Sequence, residues 1–232
     1  RMSSESFQLG DQTVDIIRSP CAKRMRLAVD PRSGRVRLTL PKRASMREGV
    51  RWADEQSAWV AREVAKTPEA EEIIPGMALS VAGEPLTLHW EPTASRVPKR
   101  VEKMLIVGGT LAELRPRILR WLQREARRVL DTETREIGAL AGVEIGRVGI
   151  GDPRARWGSC SSKGDIRYSW RLILAPTHVR RATVAHEVAH RVHMNHSPVF
   201  HALVAKLYGA DPKPARLWLR THGAALHWFG RA

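Results

Sequence analysis

The stretch Ala185-His186-Glu187-Val188-Ala189-His190-Arg191-Val192-His193-Met194-Asn195-His196-Ser197-Pro198 decides how the rest of the chain reads. Residues four apart on a helix share a face, so His186 and His190 can hold one metal ion between them. Glu187 lies beside them, where its carboxylate can take a proton from a metal-bound water. A catalytic zinc takes three protein ligands and keeps one position open. The third must come from downstream. No Glu follows Glu187, so the ligand set of two His and one Glu is not available. The downstream candidates are His193, His196, His201, Asp211, His222 and His227. His193 would sit one turn beyond His190 on the same face, about 10 Å along the axis from His186, an awkward place for a shared ion. Ser197-Pro198 reads as an N-cap followed by Pro at the first helical position. One helix therefore ends near Asn195 and another begins after it. His196 falls in the turn, where it can swing back across the metal. His196 is the chosen third ligand and His201 the alternative.

Working outward, residues 154–174 read as a hairpin: Arg156 to Cys160 leads in, Ser161-Ser162-Lys163-Gly164-Asp165 turns, and Ile166 to Leu174 leads out. Pro176 and Thr177 start the metal-site helix. A helix from Pro198 should reach Tyr208, with Gly209 ending it. A last helix carries Leu217, Trp218 and Leu219. Upstream, apolar spacing over Ile118, Leu119, Leu122, Ala126, Val129 and Leu130 predicts a long helix from about Pro116 to Leu140-Ala141-Gly142. Arg115, Arg117, Arg120, Arg124, Arg127 and Arg128 make it very basic, and such a face is more often solvated than bound to nucleic acid. Short strands fill Ile73 to Val107, and Gly108-Gly109 is the expected boundary. Before them, strands at Phe7–Leu9, Val14–Ile17, Met25–Val29 and Val36–Leu40 precede one helix running from the Ser45 cap to about Lys66. Asp30-Pro31-Arg32-Ser33-Gly34 is turn chemistry between the last two strands. The expectation is an α+β chain: a β-rich region with one helix over 1–109, and a metal-binding domain over 110–232.

The chain has 232 residues, 43% hydrophobic and 27% charged, ordinary for a globular protein with a proper core. Its balance of 39 basic to 24 acidic residues, a net charge of +15, is not ordinary. That favours a polyanionic neighbour, such as nucleic acid or an anionic membrane surface; nucleic acid through the basic surface is the partner kept, and no membrane. The two cysteines, Cys21 and Cys160, exclude a disulfide framework and a zinc ribbon. No run of about 18 apolar residues would span a membrane. No secretory h-region opens the sequence, so a cytoplasmic location is expected, and Arg1 before Met2 reads as foreign to the fold. Oligomeric state is not legible.

The sequence resembles the YgjP-like metallopeptidases, relatives of the SprT-type zinc proteases. The resemblance rests on Arg156-Trp157-Gly158-Ser159-Cys160-Ser161-Ser162, on Ser169-Trp170-Arg171-Leu172-Ile173-Leu174-Ala175-Pro176, and on Val184 to His190 continuing through Asn195-His196-Ser197-Pro198. The pattern Arg35 to Pro41 and the Trp59 helix extend it over nearly the whole chain. It implies a zincin-like catalytic domain, an active-site helix packed on a small sheet, with one Zn2+ per chain. His186, His190 and His196 would be the ligands and Glu187 the catalytic residue. The 156–171 hairpin would flank the cleft and offer an edge strand to an extended peptide. Trp157, Gly158, Ser159 and Cys160 are then the candidate substrate-binding residues. At His201 the chain departs from the family pattern, which has a Trp after Phe200. Relatives of the SprT type act on proteins attached to DNA, and the charge is compatible with that.

Taken as packing, Trp157 and Trp170 read first as core and Cys160 as a small buried residue beside a turn. Tyr168 or Arg171 would stabilise an oxyanion if it faced the cleft. The expected function is a zinc-dependent peptidase acting on a protein or peptide. The alternative is a metal-dependent hydrolase of a nucleotide or other phosphorylated substrate. A purely structural metal site is disfavoured, because it would need no base and would carry four protein ligands.

Overall fold

The computed structural model describes residues 5–231. The chain is α+β, and it divides into two compact units, residues 1–69 and 70–232. In the first unit β1 (Glu5–Leu9), β2 (Gln12–Ser19), β3 (Arg26–Val29) and β4 (Val36–Pro41) form a sheet ordered β1-β2-β4-β3, with β2 and β4 parallel. Its buried face is period-two: Val36, Leu38 and Leu40 point inward while Arg37 points out. The Asp30 carboxylate pins the β3–β4 turn by accepting from the Arg32 N–H and the Ser33 hydroxyl. The expected single helix after β4 is two helices, α1 (Met46–Glu55) and α2 (Ser57–Val64). The helix tightens where the Gln56 N–H bonds to the Ala53 carbonyl, three residues back rather than four. Ser45 caps α1 as expected, its hydroxyl accepting from the Glu48 N–H.

The second unit holds a sheet of the same order. β5 (Ala78–Val81), β6 (Glu84–Trp90), β7 (Lys99–Val101) and β8 (Met104–Val107) run β5-β6-β8-β7, again with the central pair parallel. The 28-residue α3 (Leu114–Ala141) follows and ends at Gly142, whose φ of 66° is the left-handed conformation a helix C-terminus uses. A three-stranded sheet of β9 (Val148–Gly151), β10 (Gly158–Cys160) and β11 (Ile166–Ser169) has the order β10-β11-β9. β11 gives way to a 3-10 turn, Trp170–Leu174, instead of running on to Leu174. The Ser169 hydroxyl starts that turn by accepting from the Arg171 N–H. Then come α4 (Thr177–Ala189), α5 (Pro198–Tyr208) and α6 (Lys213–Leu226).

The units do not divide at the expected boundary, Gly108-Gly109. One continuous core joins Leu79, Leu88 and Leu105 of the sheet to Ile118 and Leu122 of α3 and on to Val184 and Val188 of α4. The two glycines form a fixed turn rather than a linker. Gly108 donates to the Ser95 carbonyl and its own carbonyl accepts from Arg117. Gly109 has a φ of 90°, and a Cβ there would sit against the Arg117 guanidinium.

Candidate metal centre

α4 is buried along most of its length, with Val179, Val184, Ala185, Val188 and Ala189 all inaccessible. Its small residues let neighbouring elements approach, and in its last turns His186 and His190 are the partly accessible residues. The helix stops at Ala189 with His190 as its cap, six residues before the expected end near Asn195. His193 therefore does not continue the helical face. Its carbonyl instead turns back and accepts from His190 Nδ1 at 3.1 Å. A carbonyl can only accept, so that bond puts the proton on Nδ1 and leaves the Nε2 lone pair free. Ser197 caps α5 by accepting from the Phe200 N–H, Pro198 takes the first helical position, and Gly209 closes the helix at a φ of 81°. This start brings His196 back over α4. His196 Nε2 lies 3.2 Å from His186 Nε2.

One ring nitrogen each from His186, His190 and His196 lies within 4.8 Å of the other two, close enough to hold a metal ion together. Two imidazole nitrogens on one tetrahedral zinc are roughly 3.3 Å apart at ordinary bond lengths, so the 3.2 Å contact suits a shared ion. Burial, helped by the neighbouring His190 and His196, holds the His186 pKa down to about 4. Burial also lowers that of His190. Both are therefore neutral near pH 7, as ligation requires. No other such group of three occurs among the described residues. His201 is exposed, its ring 6.2 Å from that of His196, and stays outside the cluster. His222 stacks on Trp218, and Asp211 accepts from the Lys213 N–H.

Glu187 is 6% exposed. Burial pushes its pKa up to about 7, against the opposing charge of Arg156. With His186 it lines a cavity of about 290 Å³, walled by Trp157, Val204 and Leu219 among others. Gly158 passes so close that a Cβ there would lie 2.5 Å from Glu187 Oε1. Of the four candidate substrate residues, Trp157 and Gly158 line this cavity. Ser159 and Cys160 line a separate groove on the sheet. Trp157 packs on the buried His227 at 5.1 Å between ring centres and lies over Gly223, where a Cβ would meet its ring at 2.7 Å. The Cys160 thiol is pushed up, chiefly by burial, so it is a poor nucleophile.

Neither expected oxyanion candidate faces the cleft. Tyr168 is fully buried, and its hydroxyl shares a 3.0 Å hydrogen bond with Thr134. Arg171 makes a two-pronged pair with Asp152 at 2.7 and 3.0 Å and donates to the carbonyls of Leu226 and Phe229. It fastens the C-terminal segment to the 3-10 turn. Strand alternation could not decide this, because β11 ends just before Arg171.

Phe200 escaped the sequence reading. It is fully buried, and its ring lies 4.9, 4.5 and 4.9 Å from those of His186, His190 and His196, a floor under all three. The available signal was its place three residues after the Ser197 cap. Gly158 as the neighbour of Glu187 had no local signal.

A family model described as YgjP-like, metallopeptidase domain, matches residues 23–222. No curated protein and no solved structure matches the chain.

Proposed function

The chain belongs to the YgjP-like metallopeptidase family, and on that premise we propose that it is a zinc-dependent peptidase holding one zinc on His186, His190 and His196, with Glu187 as its general base. The observation that carries this reading is the convergence of three imidazole nitrogens beside a buried carboxylate. When bound, zinc supplies Lewis acidity toward the peptide carbonyl and lowers the pKa of a coordinated water to about 7. Glu187 moves the proton. One of its carboxylate oxygens would accept the proton of the attacking water and then release it to the leaving amine nitrogen. Phe200 holds the three imidazoles in place, and the Nδ1 bond to the His193 carbonyl orients His190. The close approach of β10 to α4 at Gly158 supports a zincin-like arrangement, with an extended peptide lying along that strand. The net charge of +15 is the ground for placing the substrates near nucleic acid.

Metal analysis paired with Glu187→Gln tests the reading. Expected are one zinc per chain in both proteins, and hydrolysis of unfolded protein lowered at least about 10²-fold in the variant. A zinc-loaded wild type that cleaves nucleoside triphosphates but no protein would favour the phosphorylated-substrate alternative instead. Affinity for DNA that is absent at low salt would remove the nucleic-acid part alone.

A further inference from the structure

The described β10 pairs only with β11, so its other side is open. The Ser169 N–H bonds to the Trp157 carbonyl and the Ser161 N–H to the Asp165 carbonyl. Bonded and non-bonded pairs alternate in an antiparallel ladder, so Gly158 and Cys160 turn their backbone N–H and C=O groups to the open side. A strand laid there starts beside Glu187, at Gly158, and runs on past Ser161.

Past Gly158 the sheet carries a groove of about 610 Å³. Register places Ser159, Arg167 and Gly149 side by side on one face, with small residues flanking the arginine. The Arg167 side chain lies flat across β9, where a Cβ on Gly151 would sit 2.6 Å from its guanidinium. Arg127 of α3, Arg147 and Arg156 line the same groove, and Asp165 is its one carboxylate. The Asp165 carboxylate accepts from the Arg147 backbone N–H. Among the described residues none of the four forms an ion pair, though the charge of Arg156 acts on Glu187. Arg156 also lines the cavity beside Glu187, so the two cavities adjoin at that side chain.

We propose that this groove selects acidic peptide substrates, taking Asp or Glu side chains from a segment that lies along β10 beyond the cleaved bond. At about 3.4 Å per residue, the Gly158-to-Ser161 span puts the preferred acidic residues two to four positions from that bond. A strand's alternate side chains fall on the face that bears Arg167. The open backbone of Gly158 and Cys160 favours a peptide over a nucleic acid, since a peptide can satisfy both features at once. This inference rests on the peptidase reading for the position of the bond, and its test separates the two.

The test uses fluorescein-labelled decapeptides, one carrying Glu at spaced positions and one with Gln in their place. Their binding to zinc-loaded Glu187→Gln protein is followed by anisotropy, and their cleavage by wild type is compared. The acidic peptide should bind at least about tenfold more tightly at low salt, with the difference shrinking as salt screens it. Arg147→Gln with Arg167→Gln should reduce that preference roughly two- to fivefold per arginine, in binding and in the kcat/KM ratio alike. Arg127→Gln, on the exposed side of α3, repeats the test without touching the sheet. Cleavage with no acidic preference, or a preference these variants leave intact, overturns the inference. A preference without any cleavage supports the groove and overturns the peptidase reading. Single-stranded DNA that binds more tightly than the acidic peptide, and loses affinity in the same variants, assigns the groove to nucleic acid and overturns the inference.

Discussion

Gly158 and Glu187 show how much rests on single atoms. A methyl group on Gly158 would lie 2.5, 2.6 and 2.7 Å from Glu187 Oε1, Cγ and Cδ, so that side chain would have to shift. Gly158→Ala should therefore displace that carboxylate before it disturbs the sheet. The expected result is peptide hydrolysis lowered by an order of magnitude or more, with a melting temperature within a few degrees of wild type. Glu187 also carries a stability signature. Its folded pKa of about 7 lies above the 4.5 of an unperturbed Glu. The unfolded chain therefore loses this proton first as pH rises. Below pH 4.5 the group costs nothing; between 4.5 and 7 the fold progressively loses stability, on the order of 3 kcal/mol in total; above 7 the loss is constant. In metal-free protein, Glu187→Gln should melt increasingly above wild type across that window and then hold a fixed margin. A difference that does not change with pH would contradict this. At this scale the clustering of His186, His190 and His196 was legible because their spacing is a local property of a helix and its capped successor. Phe200 and Gly158 were not, since their roles come from contacts between elements far apart in sequence.

α4 is held by an ion pair that its own sequence does not announce. Arg180 makes a two-pronged bond to Glu133 of α3 at 3.0 and 2.9 Å, and both side chains are buried. Removing Arg180 leaves the buried Glu133 carboxylate only the looser contact with Arg181 at 3.8 Å. Arg180→Met should cost about 3–5 kcal/mol in urea unfolding, and adding Glu133→Leu should restore most of it. Phe200→Ala should cost a similar amount through the cavity it leaves, and should weaken zinc binding as well, because all three imidazoles rest on that ring. Caps were the most legible feature of the elements. Ser45, Gly142, Ser197 and Gly209 each end or start a helix where local chemistry says they should. The early stop of α4 at Ala189 was not legible, because it is tied to the bond between His190 and the carbonyl of His193. Sheet order was equally hidden. In both four-stranded sheets the parallel central pair joins strands that are not neighbours in sequence.

Across the whole molecule, the misplaced boundary has a single cause. Composition marks Gly108-Gly109 as a break, but hydrogen bonds and a shared core make it a fixed corner of the second unit. The segment after α6 matters for the same unit. Arg171 reaches the carbonyls of Leu226 and Phe229, Arg115 reaches that of Gly230, and His227 backs Trp157. Ending the chain at Leu226 should leave two guanidiniums short of acceptors and lower the melting temperature by several degrees or more. Glu71, at the start of this unit, pairs with that same segment: it donates to the Trp228 carbonyl, accepts from the Gly230 N–H and bridges to Phe229. The unit's beginning and end are thus neighbours in space. Circular permutation becomes available. Residues 70–231 joined end to end by a linker of about six Gly and Ser residues, and reopened at the exposed Gly209-Ala210, should give the circular-dichroism spectrum of linear 70–231 and take up one zinc.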